Sequence, residues 1–142
     1  RDKELTTSNV MMYVNDVAGI RIICSFTSDI YRIANAISGQ SDIEILKIKD
    51  YIKNPKENGY MSYHMLLSIP VALADAVVPA KVELQIRTMA MDFWASLEHQ
   101  VKYKKNVKDA ESVMYELRAC ADVINRTDCH MQSIRDRIVE ID

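Results

Sequence analysis

The sequence lacks the features of a membrane or secreted protein. No apolar run approaches the ~20 residues needed to span a bilayer, and the N-terminus has no charged-then-apolar signal segment. The three cysteines form no CxxC pair and have no companion histidine spacing suited to zinc. We therefore expect a cytoplasmic protein, without a membrane partner, whose cysteines are reduced thiols. Cys24 is expected in a buried strand.

The chain also lacks a strong charge of either sign. Its formal net charge is −2, so it has no overall basic field of the kind that concentrates nucleic acid. Hydrophobic residues make up 49% and charged residues 27% of the 142 residues, which is typical of one globular domain and not of disorder. We predict a single domain over residues 1–142, with a core at about 10–105 and a helical segment at about 108–142.

The first half of the chain predicts a strand, a helix and a second strand. Val17 to Phe26 is an apolar run typical of a central strand buried on both faces. Ser28 can cap a helix that ends near Gly39. The apolar stripe of that helix consists of Ile30, Ile33, Ala34 and Ile37. A second strand, with a bulge where alternation breaks at 45/46, is indicated by Ile43, Ile45, Leu46 and Ile48.

The middle of the chain predicts two further strands. Turn-forming residues fill positions 53–59. Alternation from Tyr60 then places Tyr60, Ser62 and His64 on one face of a strand that Pro70 limits. After a loop at about 74–79, a strand over residues 81–87 turns apolar side chains inward. Its opposite, all-polar face consists of Glu83, Gln85 and Arg87.

The last part of the chain predicts two helices. Thr88 can cap the first helix, whose expected buried stripe is Ala90, Phe93, Trp94, Leu97 and Val101. The second helix has a heptad seam made of Val113, Leu117, Cys120, Ile124, Thr127, Met131, Ile134, Ile138 and Ile141. Two interpretations of the seam stay open: packing against its own domain, and sharing with another subunit. The fold class expected from all these elements is α/β (α+β), a mixed four- to five-stranded sheet flanked by helices.

Polar clusters interrupt the apolar elements at three places. They are Asp16 with Arg21, residues 53–64, and residues 83–88. Carboxylates hold a divalent cation and basic side chains neutralise phosphate oxygens, so such a set is what nucleotide transfer requires. Asp16 and Glu83 could share one Mg²⁺, or one could bind metal while the other accepts a proton. Spacing alone equally allows a surface salt-bridge array of these acids with Arg21 and Arg87.

Three strings, in the right order, resemble the synthetase domain of RelA/SpoT-type proteins, and most of all the small alarmone synthetases. The strings are residues 16–21 (DVAGIR), 58–64 (NGYMSYH) and 82–88 (VELQIRT), the last continued by 90–99 (AMDFWASLEH). The likeness runs from about residue 15 to about residue 105. It implies a nucleotidyltransferase-like fold with a Mg²⁺ cofactor and a homo-oligomer, a tetramer or dimer. The implied reaction moves pyrophosphate from ATP to the ribose 3′-hydroxyl of GDP or GTP and releases AMP. Nothing resembles the family's hydrolase motif, so synthesis alone is implied.

The resemblance also assigns roles on the ATP and metal side of the site. Asp16 matches the family's magnesium-binding aspartate, and carboxylate oxygens suit a cation that bridges phosphates. Glu83 matches the acid that activates the ribose 3′-hydroxyl or completes the metal site. Arg21 matches an arginine that stacks on adenine, a use that suits a planar guanidinium.

On the guanosine side, the resemblance implies four further contacts. Tyr60 matches the tyrosine that stacks on guanine, and a core tyrosine is the alternative. Lys56 and His64 match residues that hold the 5′-phosphates. Asp92 matches a residue that reads the guanine edge, although an acid at a helix start also has a dipole role. Gln85 is expected to line the same cleft as Arg87.

Two departures from the family pattern lead to rival hypotheses. Family members commonly have arginine where this chain has Met61, but alternation turns Met61 away from Tyr60 and His64. The family's basic clamp for ATP phosphates lies upstream of the first strand, and we expect that segment to be missing from this chain. One rival is therefore a non-catalytic guanine-nucleotide sensor. Another transfers pyrophosphate to the 3′ end of tRNA, for which the candidate patch is Lys102, Lys104, Lys105 and Lys108.

Overall fold

A computed structural model describes residues 18–103 and 109–141 as one mixed sheet with three helices. The elements are β1 (Ala18–Cys24), α1 (Thr27–Ser38), β2 (Glu44–Asp50), β3 (Tyr63–Ala72), β4 (Val77–Thr88), α2 (Met89–Tyr103) and α3 (Ala110–Ile141). The strand order is β1-β4-β3-β2. β1 runs parallel to β4, whereas β3 is antiparallel to both of its neighbours. The predicted mixed sheet with a long C-terminal helix is thereby confirmed, with four strands in these ranges.

One face of the sheet forms the core with α1. Ile30 and Ala34 of the predicted α1 stripe are buried, and Ile33 and Ile37 pack beside them. The buried strand residues are Cys24, Met65, Leu67, Val82, Leu84 and Ile86. Because side chains alternate along a strand, burying these residues turns Glu83 and Gln85 to the opposite face. Cys24 is buried as expected, and all three cysteines are free thiols.

The prediction that the first strand is central and buried on both faces is wrong. β1 lies at the edge of the described sheet, and Ile20 and Ile23 are 51% and 43% exposed. An apolar run predicts that a strand forms, but it does not determine the order of strands in the sheet. The predicted Ser28 cap is also wrong. Phe26 is the N-cap of α1 and makes no side-chain cap hydrogen bond. The Ser28 N–H instead donates to Gln132 Oε1 of α3, at 3.0 Å.

The predicted bulge in β2 is confirmed and has a consequence for the site. The pairing with β3 shifts between Ile45 and Lys47, so that Lys47 pairs with Leu66 and Lys49 with His64. A one-residue shift exchanges the two faces of a strand. Without the bulge, both lysines would point toward the core. With it, they lie on the polar face of the sheet.

β3 and β4 form a longer hairpin than predicted. β3 continues past Pro70 to Ala72, and the turn is closed by a 2.8 Å hydrogen bond from Leu73 N–H to the Ala76 carbonyl. Pro70 pairs with Pro79, a position where antiparallel strands need no N–H donor. β2 pairs with β3 only as far as Ser68, so Pro70 costs no hydrogen bond on that side either. The predicted limit at Pro70 is therefore wrong.

The predicted buried stripe of α2 is confirmed at Trp94 but wrong at its other large residues, and the predicted cap is confirmed. Thr88 Oγ1 accepts a hydrogen bond from the Met91 N–H at 3.2 Å. Phe93, Leu97 and Val101 are exposed at 59%, 44% and 39%. The buried residues of the helix are Met91, Trp94 and Ala95. Apolar residues occur on two faces of α2, and the sequence does not show which one meets the domain.

Only part of the heptad seam of α3 packs against the domain. Leu117 and Ile124 pack with the buried Ala121 against Trp94 and Ala95 of α2. Farther along, polar residues make the intramolecular contacts, and Arg135 Nη1 lies 3.0 Å from Asp29 Oδ1 of α1. Met131 and Ile138 of the seam are 49% and 56% exposed. Of the two open interpretations, packing within the chain applies to the first half of the helix. Within the described ranges, no helix has the length and apolar character needed to cross a membrane.

Candidate active site

The strand register places the polar side chains in two rows across one face of the sheet. The first row, from β1 to β2, is Arg21, Gln85, His64 and Lys49. The second row is Gly19, Glu83, Leu66 and Lys47. Paired residues of neighbouring strands point to the same side of a sheet. A carboxylate, an imidazole and three cations from all four strands therefore share one surface.

Glu83 lies at the centre of this surface. It is half-buried, and its Oε1 accepts a 3.3 Å hydrogen bond from Gln85 Nε2. On the β1 side its neighbour is Gly19, where an added Cβ would meet no described atom within 4 Å. On the β3 side, Glu83 lines a cleft of about 190 Å³ together with Lys47, Lys49 and His64. The carboxylate therefore has open space on one side and cations on the other.

Arg87 contacts three other residues of the site, which are Tyr60, Gln85 and Asp92. Its side chain is only 4% exposed. Nη2 donates to Gln85 Oε1 at 2.7 Å and to the Tyr60 hydroxyl at 3.1 Å, and Nη1 lies 3.4 Å from Asp92 Oδ1. Burial lowers the pKa of Arg87, with Tyr60 and Asp92 acting in the opposite direction, but an arginine stays charged at neutral pH. Among the described residues, its Nε–H is a buried donor without a partner.

The Tyr60 hydroxyl connects Arg87 to His64. It accepts from Arg87 Nη2 at 3.1 Å and lies 3.0 Å from His64 Nε2. Burial, helped by Arg87 and the nearby lysines and opposed by Glu83, lowers the pKa of His64. The lowered pKa favours a neutral imidazole at neutral pH.

The turn before β3 presents Tyr60 and Lys56 to this surface. Gly59 has φ of 97°, a left-handed conformation that glycine adopts readily. The Tyr60 N–H donates to Asn58 Oδ1 at 3.0 Å, and Asn58 Nδ2 lies 3.4 Å from Glu98 Oε1. Lys56 Nζ lies 5.1 Å from the centre of the Tyr60 ring and 5.0 Å from that of Tyr51. Tyr60 is half-buried, so the alternative of a sealed core tyrosine does not hold.

Asp92 links α2 to the sheet through arginines. Its Oδ1 lies 3.7 Å from Arg21 Nη1 and 3.4 Å from Arg87 Nη1. The array of acids and arginines that spacing allowed is therefore present, but its acid is Asp92 and not Glu83. A cleft of about 520 Å³ opens between the sheet and α2, and its polar lining includes Arg21, Tyr60, Gln85, Arg87, Glu98 and His99. That volume is in the range of small-molecule sites.

Most of the predicted site residues come together on this surface. They are Arg21, Lys56, Tyr60, His64, Glu83, Gln85 and Asp92. Asp16 lies outside the described residues, as do the side chains of Lys102, Lys104, Lys105 and Lys108. Sequence reasoning missed Lys47 and Lys49. The sequence signal for them is the alternation of Lys47, Ile48 and Lys49 after the bulge, which places both lysines on one face of β2. Met61 packs against the core and away from the clefts, as predicted.

Magnesium is the metal that the resemblance implies, and Glu83 suits it. Mg²⁺ prefers oxygen ligands and is often held by one or two carboxylates and several waters. Asp92 already contacts two arginines and Glu98 contacts Asn58, whereas Glu83 lines an open cleft. Residues 18–103 and 109–141 contain no cluster of three or more His, Cys, Asp or Glu able to hold a metal. The donor set therefore fits a magnesium ion that is held mainly by phosphates and water.

The chain belongs to the RelA/SpoT family. The family model described as "Region found in RelA / SpoT proteins" matches residues 2–108. The resemblance carried by the three sequence motifs is thereby confirmed.

Within that family, the chain is similar to small synthetases of Bacillus subtilis. It is 44% identical to GTP pyrophosphokinase YwaC over 95% of this chain and 64% of that protein. The structure of small alarmone synthetase 2 is 41% identical with a TM-score of 0.80, over 92% of this chain and 73% of that one. Small alarmone synthetase 1, in a structure bound to its product pppGpp, is 34% identical with a TM-score of 0.77, over 86% and 62%. The chain spans less than two thirds of the curated relatives it matches first.

Proposed function

We propose that this protein transfers a pyrophosphate group from ATP to the ribose 3′-hydroxyl of GDP or GTP. The observation that carries the proposal is the Glu83 carboxylate at the centre of a sheet face that also carries Arg21, Lys47 and Lys49, with a half-buried tyrosine beside it. Such a surface suits two polyphosphates and a purine ring. Direct transfer between the two substrates requires no covalent enzyme intermediate.

Guanosine binds at the Tyr60 side in this proposal. Guanine stacks on the Tyr60 ring, which Arg87 holds by its hydroxyl. Lys56 now lies over that ring, so it moves toward the 5′-phosphates when the base enters. His64, Lys47 and Lys49 complete the phosphate contacts, since they line one cleft. Asp92 accepts from the guanine N1–H and 2-amino groups, a pair that adenine does not offer.

ATP binds on the β1 side, with adenine on the exposed guanidinium of Arg21. The guanosine 3′-oxygen attacks the β-phosphorus in line, and a bond forms between these atoms. The bond from the β-phosphorus to its bridging oxygen on the α-phosphate breaks, and AMP leaves with that oxygen. Glu83 accepts the proton of the 3′-hydroxyl. A bound Mg²⁺, held by Glu83 and Asp16, would supply charge neutralisation at the phosphate oxygens.

The exposed apolar residues favour a homo-oligomer. Met131 and Ile138 lie on the heptad seam of α3, and Phe93 and Leu97 form an exposed stripe on α2. Exposed apolar stripes of this kind mark protein contacts.

We expect the double change Met131→Glu and Ile138→Glu to lower the mass measured by light scattering. If the double variant has the same mass as the native protein, the exposed seam of α3 does not form a subunit contact.

The full-length protein tests the proposal when it is incubated with ATP, Mg²⁺ and either GDP or tRNA. We expect AMP and a 3′-pyrophosphorylated guanosine with GDP, and no modified tRNA. Glu83→Gln keeps the side-chain shape but cannot take a proton, so product formation should fall by about 10²-fold or more. Glu111→Gln, a change at an exposed acid of α3, is the matched control and should leave the rate unchanged.

Each other outcome identifies a different function. Binding of GDP without formation of AMP would support a non-catalytic guanine-nucleotide sensor. Modified tRNA would support the alternative acceptor. Equal rates for Glu83→Gln and the native protein would remove Glu83 from the chemistry.

A further inference from the structure

The long helix α3 contacts both sides of the guanosine site. On one side, Trp94 Nε1–H of α2 donates to the Leu117 carbonyl at 2.9 Å. On the other side, a Cβ placed on Gly59 would lie 2.6 Å from Ala121 Cβ, so the turn backbone lies directly against the helix. The gap left between α3, α2 and the turn is only about 10 Å³. Such a volume is too small for a ligand, so this joint is a packed contact.

A buried pair of polar residues completes this joint. Thr88, fully buried, ends β4 directly after Arg87. Its hydroxyl donates to Asp128 Oδ2 of α3 at 2.7 Å and accepts from the Met91 N–H at 3.2 Å. A hydroxyl has a single proton. Donation to Asp128 therefore fixes the orientation in which Thr88 caps α2.

We propose that Asp128 is a positioning residue for the guanosine site, acting through Thr88. The inference rests on the proposed function, because that function gives Tyr60, Arg87 and Asp92 their roles. Thr88 stands between Arg87 and the first turn of α2, which carries Asp92. When Asp128 fixes the position of Thr88, it also fixes the distance between Arg87 and Asp92, which is 3.4 Å. The same Arg87 guanidinium donates a hydrogen bond to the Tyr60 hydroxyl.

The chemistry of Asp128 supports a positioning role over a stabilising one. The residue is 6% exposed, and burial raises the pKa of its carboxyl. A buried carboxylate is a poor source of stability compared with a neutral or apolar residue of similar size. It is, however, a strong and directional hydrogen-bond acceptor, as an orienting group must be.

Four variants of the full-length protein separate positioning from general destabilisation. Asp128→Ala and Thr88→Val remove the hydrogen bond, whereas Asp128→Asn keeps an acceptor. Asp122→Ala removes an exposed acid from the same helix and is the matched control. Two readouts are used: steady-state kinetics with ATP, Mg²⁺ and GDP, and amide hydrogen exchange without substrates.

Asp128→Ala and Thr88→Val should raise the KM for GDP about tenfold, equivalent to about 1.4 kcal/mol. The KM for ATP should stay within about twofold of the native value, and Asp128→Asn should restore both constants. Exchange should quicken at residues 53–60 and at Met91 in the first two variants only. Amides of β3 and β4 should stay protected, which shows that the fold is retained.

Three results would overturn the proposal. One is an Asp128→Ala protein whose KM for GDP and amide hydrogen exchange are the same as in the native protein. Another is an Asp128→Asn protein as impaired as Asp128→Ala. The third is a parallel loss for ATP and GDP with faster exchange throughout the sheet, the mark of a purely structural residue. If the native protein makes no product, the proposed function fails by itself. The exchange pattern of the four variants then decides the role of Asp128.

Discussion

At the scale of one residue, Gly19 leaves open space beside Glu83. It pairs with Glu83, and a Cβ placed there would meet no described atom within 4 Å. A side chain at this position would therefore project over the same face as the Glu83 carboxylate without a clash with any described residue.

Gly19→Val should separate binding from stability. We expect kcat/KM for nucleotide transfer to fall about tenfold, equivalent to about 1.4 kcal/mol, because the valine fills space beside Glu83. The melting temperature should hold or rise, since glycine in a strand costs roughly 0.5–1 kcal/mol relative to alanine. Gly19→Ala should give an intermediate rate. A valine variant with native kinetics would show that the space beside Glu83 is not used.

Single residues also show what the sequence could predict. The strand register brings together Arg21, His64, Glu83 and Gln85, which alternation and the family motifs predict for the site. The predicted strand from Tyr60 begins only at Tyr63, and Tyr60 joins the site from the preceding turn, through its hydrogen bond with His64. The hydrogen bonds of Arg87 could not be predicted. They depend on how far β4, the turn and α2 approach each other, and tertiary packing decides that distance.

At the scale of elements, the turn over residues 53–59 is the part most dependent on its neighbours. Gly59 combines a φ of 97° with close contact to Ala121 of α3. Any other residue would be strained in its backbone and would push the turn away from the helix.

Gly59→Ala should lower the free energy of unfolding by roughly 1–3 kcal/mol and weaken GDP binding. Adding Ala121→Gly relieves the steric contact but not the backbone strain, so it should recover only part of the loss. Urea denaturation and GDP titration of the single and double variants measure both effects. Full recovery in the double variant would mean that the left-handed backbone contributes nothing.

The errors about β1 and the buried stripe of α2 share one cause. The spacing of the apolar residues predicted each helix and strand. It did not predict against which other element each helix or strand packs. Phe93 and Leu97 fit a helical stripe, yet the domain packs on Met91, Trp94 and Ala95. In β2, the bulge itself was predicted, but its effect on Lys47 and Lys49 was not, because that effect depends on the pairing with β3.

At the scale of the whole molecule, Asp128 makes stability depend on pH. Burial raises the pKa of its carboxyl above the ordinary 3.8. The folded state therefore keeps this proton to a higher pH than the unfolded state does. The resulting stability is fully present below the unfolded pKa and is lost as pH rises through the folded pKa.

Asp128→Asn should therefore be more stable than the native protein at pH 7, by roughly 1 kcal/mol. The difference should shrink as the pH is lowered through the raised pKa of the native carboxyl, because that carboxyl then becomes protonated. Urea denaturation at a series of pH values measures it. A difference that is constant with pH would show that the titration of Asp128 is not its source.

The account as a whole depends on transfer of one intact group between two nucleotides on a single sheet face. The most direct measurement follows ³²P from ATP in the presence of Mg²⁺, GDP and the full-length protein. Label placed at the γ-phosphorus should appear in the 3′ group of the guanosine product, and label at the α-phosphorus should appear only in AMP. Release of the γ-label as free phosphate or pyrophosphate, or transfer of the α-label to guanosine, would contradict the account.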